Sequence, residues 1–80
     1  MTRQEFEEIP FKAGTHLSMA DAYESVYYNN EYGFTIVEIT KRTQGDYGLG
    51  KSHREYCYKG VWYKKFDKFL EAIKDVEFKG

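Results

Sequence analysis

Apolar residues recur along this chain in two rhythms, one with a period of two and one of about three and a half. The period-two rhythm is clearest from Gly33. "GFTIVEITKRT" is β-branched, aromatic and alternating, and it predicts a strand. Thr35, Val37 and Ile39 share one face of that strand, while Phe34, Ile36 and Glu38 share the other. "HREYCYKGVWYKK" predicts a tight hairpin with Lys59-Gly60 as its two-residue turn. That register sets Tyr58 opposite Val61, Cys57 opposite Trp62, Tyr56 opposite Tyr63 and Glu55 opposite Lys64. The Glu55–Lys64 pair would contribute about 0.2–1 kcal/mol. Arg54, Tyr56, Tyr58, Val61, Tyr63 and Lys65 then share one face, with Cys57 and Trp62 on the other.

The helical rhythm governs the C-terminal stretch "FDKFLEAIKDVEF". Phe66, Phe69, Leu70, Ile73 and Val76 make an apolar stripe, with Asp67, Lys68, Glu71, Lys74 and Asp75 on the outer side. A short amphipathic helix is marginal alone, so it is expected to pack on the sheet. The N-terminus predicts a short helix. Thr2 and Glu5 form a capping box, Pro10 disfavours helix at Ile9, and Phe6 and Ile9 turn inward.

Residues 11–32 satisfy both rhythms. Met19, Ala22, Tyr23 and Val26 have helical spacing, and Ser18 with Asp21 mimics a capping box. Yet "FKAGTHLSM" alternates, and "YESVYY" is rich in strand formers, which suits two strands with a turn near Ala20–Ala22. The order predicts one α+β domain over residues 1–80. A short N-terminal helix leads into an antiparallel β-meander of three to five strands, and a C-terminal amphipathic helix packs on the sheet.

Composition adds an unusual aromatic load: eight Tyr, six Phe and one Trp, 19% of the chain. Large rings fill a thin core efficiently, and Tyr is also a rigid, amphipathic contact residue. The Phe residues and Trp62 are expected mainly in the core, with the Tyr residues divided between core and surface. Cys57 is the single cysteine, so no internal disulfide can form, and a reducing cytoplasm is the expected compartment. The polar start "MTRQEFEEIP" does not resemble a signal peptide, and no apolar run has the length of a membrane helix.

Charge divides along the chain. Residues 1–38 hold two basic and seven acidic residues; residues 39–80 hold ten basic and six acidic. Such asymmetry marks either an anion-binding face or a solvated surface. "GDYGLGKS" (45–52) matches the P-loop pattern at every position. A P-loop needs a helix directly after the motif, however, and "HREYCYKGVWY" reads as strand. A glycine-rich hairpin loop with Asp46 and Tyr47 at its tip is expected instead. Its amides could still form an anion nest beside Lys41, Arg42, Lys51, His53 and Arg54.

No metal site or cofactor is expected. His53 and Cys57 point the same way on a strand but lie about 13 Å apart, beyond the reach of one zinc. No catalytic residue is assigned either, since Cys57 reads as a small buried hydrophobe.

The basic, aromatic tract from Lys41 to Lys68 is the strongest functional feature. Cations steer anionic partners and Tyr rings stack on bases. "KKFDK" places Lys64, Lys65 and Lys68 at the spacing of a Lys-Lys-x-Ala-Lys cluster, with Asp67 in the place of the Ala. In this the chain partly resembles the double-stranded-RNA-binding domain, provided residues 18–28 form a helix. The resemblance implies that these lysines contact phosphates at the start of the last helix. In size and style the chain is also similar to accessory inhibitors encoded by phages and mobile elements, such as anti-CRISPR proteins.

The leading expectation is a non-catalytic protein that occupies the surface of a macromolecular protein partner. The expected contact residues are Lys41, Arg42, Tyr47, Lys51, His53, Arg54, Tyr56, Tyr58, Tyr63, Lys64, Lys65 and Lys68. The alternative is nucleic-acid or nucleotide binding through the same basic face. No membrane association is expected, and the sequence is compatible with a homo-oligomer.

Overall fold

Thr2 starts the first helix as the sequence predicts. In the computed structural model, which describes residues 1–18, 22–42 and 49–80 (side chains other than those of 42 and 49–51), α1 spans Arg3–Glu7. The Thr2 hydroxyl accepts from the Glu5 amide at 3.2 Å, and the Glu5 carboxylate accepts from the Thr2 amide at 2.8 Å. Phe6 and Ile9 are buried.

Five strands follow in a meander: β1 (Lys12–Ser18), β2 (Ala22–Asn29), β3 (Phe34–Arg42), β4 (Leu49–Tyr58) and β5 (Val61–Tyr63). They lie in the order β1-β2-β3-β4-β5, every neighbour antiparallel. Of the two readings of residues 11–32, the strand pair is the one observed; the turn near Ala20–Ala22 begins outside the described residues. The helical spacing of Ala22, Tyr23 and Val26 loses because β2 pairs with β3 at eight successive positions, from Ala22↔Lys41 to Asn29↔Phe34. With no helix there, the order that would suit a double-stranded-RNA-binding domain is absent, and that resemblance is withdrawn.

At two glycines a side chain would be strained or crowded. At the β4–β5 turn, Lys59 (φ 52°) and Gly60 (φ 78°) are both left-handed, the type I′ geometry. The register is the one read from the sequence: Tyr58↔Val61, Cys57↔Trp62 and Tyr56↔Tyr63. On edge strand β1, a Cβ at Gly14 would meet the Tyr28 ring and the Val26 carbonyl at 3.3 Å. Gly14 thus lets Tyr28 lie across the strand beside the irregularity between Ala13 and His16.

α2 covers Phe66–Ala72 and is shorter than its apolar pattern. The Met1 amine donates to the Ile73 and Lys74 carbonyls, both at 2.9 Å. Those are the acceptors that a longer helix would offer to the amides of Glu77 and Phe78. The positive amine also suits the negative end of the helix dipole. Ile73 remains fully buried, and Val76 and Phe78 still pack on the core.

The core lies between the helices and one face of the sheet. Phe34, Phe69 and Ile73 are its most deeply buried side chains. Phe6 touches five rings, those of Phe11, Phe34, Tyr56, Phe66 and Phe69, at centroid distances from 5.3 to 6.3 Å. Edge-to-face and tilted pairs of this kind add about 0.5–1.5 kcal/mol each beyond area burial. Asn29 ties the β2–β3 turn to the exit of α1: its amide donates to the Pro10 carbonyl at 2.9 Å and its oxygen accepts from the Tyr32 amide at 3.0 Å.

Trp62 departs from expectation. It is 51% exposed rather than in the core, and Cys57 beside it is half-buried. The reason is alternation: β4 and β5 turn Tyr56, Tyr58 and Tyr63 toward the helices, so Cys57 and Trp62 face the other way. The molecule is elongated, 46 × 22 × 22 Å. Its radius of gyration of 14.2 Å exceeds the roughly 12 Å of a globular chain of this length. α2 packs on β4 and β5, so helices cover only one end of one face.

Candidate functional site

Alternation along β2, β3 and β4 gives the sheet two unlike faces. On the helix-bearing face, beyond the helices, one register row crosses four strands: His16↔Ser25, Ser25↔Glu38 and Glu38↔Arg54. The two outer pairs of the row are hydrogen-bonded. His16 Nδ1 lies 3.0 Å from Ser25 Oγ, and Arg54 Nε donates to Glu38 Oε2 at 2.8 Å. The Glu38 hydrogen bond holds the Arg54 guanidinium above its ordinary pKa, against partial desolvation. The His16 ring stacks on Tyr23 with centroids 5.9 Å apart. A serine beside an imidazole is two-thirds of a nucleophilic arrangement. Among the described contacts no carboxylate orients this ring.

The opposite face carries no helix. Val26 of β2, Val37 and Ile39 of β3 and Trp62 of β5 form its apolar floor, with Thr35 between them. These side chains line an open depression of about 550 Å³. Glu24 and Glu55 supply its charge. Glu55 stands 3.6 Å from His53 Nε2, not against Lys64 as the hairpin register suggested, because β5 ends at Tyr63. Glu24 is half-buried and has no ion pair among the described residues. Leu17, opposite Glu24, extends the apolar surface onto β1 and is 49% exposed.

The contact residues expected from sequence are dispersed by this arrangement. His53, Arg54, Tyr56 and Lys64 do meet, lining a second depression of about 400 Å³ with Glu38, Ser52 and Phe66. Tyr56 is 9% exposed, however, and stacks on Phe69 at 5.1 Å. Tyr58 meets Phe34 edge-on at 5.3 Å, and Tyr63 meets Phe69 at 6.0 Å. These three rings therefore serve the core. Lys65 and Lys68 are exposed at the start of α2, and Lys41 is exposed at the far end of β3 opposite Ala22. Arg42 and Lys51 lie in β3 and β4 without described side chains. Tyr47 and the tip of the glycine-rich loop fall outside the described residues. Ser52 of the P-loop pattern lies inside β4, so a strand follows the motif where a phosphate-binding helix would be needed.

The apolar floor is absent from the contact residues expected from the sequence. Its signal was present in β3, where Phe34 and Ile36 occupy one face and Val37 and Ile39 the other. A strand apolar on both sides is patterned for burial on both sides.

Comparison with protein-family models, curated protein sequences and solved structures finds no match for this chain. Among the described residues, no helix is long and apolar enough to cross a membrane, and no three His, Cys, Asp or Glu side chains are grouped as metal ligands.

Proposed function

We propose that this chain is a non-catalytic protein-binding module that acts by occupying the surface of a protein partner. The observation that carries this reading is the mismatch on β3. The strand is apolar on both faces, yet the fold covers only the Phe34–Ile36 side. Val37, Ile39 and Trp62 are left at an open surface, and a half-exposed Trp is the residue type most enriched at interface hot spots. The contact surface therefore shifts from the basic tract to the helix-free face. Occupying a partner's surface is also how an accessory inhibitor of the phage or mobile-element type would act.

Nucleic-acid binding through residues 41–68 has less support. Arg54 is engaged by Glu38, and Tyr56, Tyr58 and Tyr63 pack in the core rather than forming a stacking platform.

Photo-cross-linking separates the readings. A benzoylphenylalanine at position 35, on the open face, should yield a protein adduct in lysate of the source cells. The same group at position 67, on the outer side of α2, should not. Adducts only at position 67, or only with nucleic acid, would defeat the proposal.

A further inference from the structure

The open face has dimensions and charges that select among occupants. Its apolar floor runs from Val26 on β2 across β3 to Trp62 on β5, about three strand spacings or roughly 14 Å. An α-helix with its side chains is about 10 Å across. The same sheet already receives an amphipathic helix on its other side, where Phe69 of α2 and Ile73 just past its end are fully buried.

The charges add direction. Glu24 is paired with Ile39, and Val37 with Glu55, so the two carboxylates stand at diagonal corners across β3. Two strand spacings across and two residues along put their Cα atoms about 12 Å apart. Residues i and i+7 of a helix lie on the same side and about 10.5 Å apart along its axis. Lys41 sits beyond this square, at the end of β3. Among the described residues, His53 is the base beside Glu55, and Glu24 has no ion pair.

We propose that the occupant of this face is an amphipathic α-helix of the partner, with Lys or Arg two turns apart beside its apolar stripe. This deepens the protein-binding reading and rests on it. The helix lays its stripe on Val26, Val37, Ile39 and Trp62, and its two cations meet Glu24 and Glu55.

Trp62 is the chain's single tryptophan, so its emission reports on the site directly. The probes are two Trp-free synthetic peptides of about 18 residues, or five turns. Both carry the same leucine stripe, flanked by Lys at i and i+7 in one and by Glu in the other. The Lys peptide should shift Trp62 emission to the blue and bind at least tenfold more tightly than the Glu peptide. Glu24→Gln with Glu55→Gln should erase that preference. Glu8→Gln with Glu77→Gln, on exposed positions away from the face, should leave it intact.

Equal binding of both peptides, a preference that survives the Glu24/Glu55 pair of substitutions, or no shift with either peptide would overturn the proposal. So would a blue shift produced by raising the protein concentration alone, with a doubled mass in sedimentation, because a second copy would then be the occupant. If the cross-link at position 35 persists through such a failure, the helix assignment falls and the protein-binding reading stands. If both fail, the open face is not a docking surface.

Discussion

Arg54 Nε donates to Glu38 Oε2 at 2.8 Å, joining β3 to β4 on the helix-bearing face just beyond the helices. Both side chains are substantially solvated, 53% and 29% exposed. A pair of this kind contributes about 0.2–1 kcal/mol once solvent screening is included. Arg54→Ala should therefore lower unfolding stability by no more than about 1 kcal/mol in a urea titration. A double-mutant cycle with Glu38→Ala measures the coupling. The small cost lets the variant serve in binding assays as a folded control.

Phe69 and Trp62 should behave in opposite ways. Phe69 is completely buried and meets the rings of Phe6, Phe34, Tyr56, Tyr63 and Phe66. Phe69→Ala should cost about 3–5 kcal/mol. A domain of this size holds roughly 4–12 kcal/mol in total, so circular dichroism should show a largely or wholly destabilised fold. Trp62→Ser, at a half-exposed position, should change stability by less than about 1 kcal/mol. Iodide should quench Trp62 fluorescence in the free protein.

The β4–β5 turn is one residue short of its best chemistry. Lys59 holds φ 52°, a region where Asn is favoured over Lys. Lys59→Asn should raise the thermal midpoint, by a gain on the order of 0.5 kcal/mol. Gly60→Ala should lower it by about 1–2 kcal/mol, because Gly60 sits at φ 78°. Paired melting curves read both signs.

Thr2 holds α1 in place through both arms of its capping box. Thr2→Ala should cost about 0.5–2 kcal/mol. Thr2→Ser should restore most of that, because it keeps the hydroxyl that accepts from Glu5. Chemical denaturation of the three proteins gives the comparison.

Local signals made much of this fold legible. The Thr2–Glu5 box, the alternation of β3 and the Lys59-Gly60 turn are each decided within a few residues, and all three appear as read. Residues 11–32 were ambiguous because both rhythms are written there, and pairing along the whole of β3 decides between them. The end of α2 was hidden because the amine that takes its last carbonyls comes from the other end of the chain. Alternation also assigned Tyr56 and Trp62 correctly to opposite faces, but it carries no information on which face the helices choose. That one missing bit moved the candidate contact surface from the tyrosines to Trp62, Val37 and Ile39.

The helices grip the sheet at one end only, which makes the strands cantilevers. On β3, Phe34 and Ile36 are clamped beneath rings, while Thr40, a few residues on, has strand neighbours Tyr23 and Ser52 but no helical layer above it. Amide exchange should therefore slow by degrees along a single strand, from Thr40 toward Phe34. The half of β3 outside that clamp should accordingly open at a lower free energy than the half beneath the rings, where Phe34 and Ile36 hold the register.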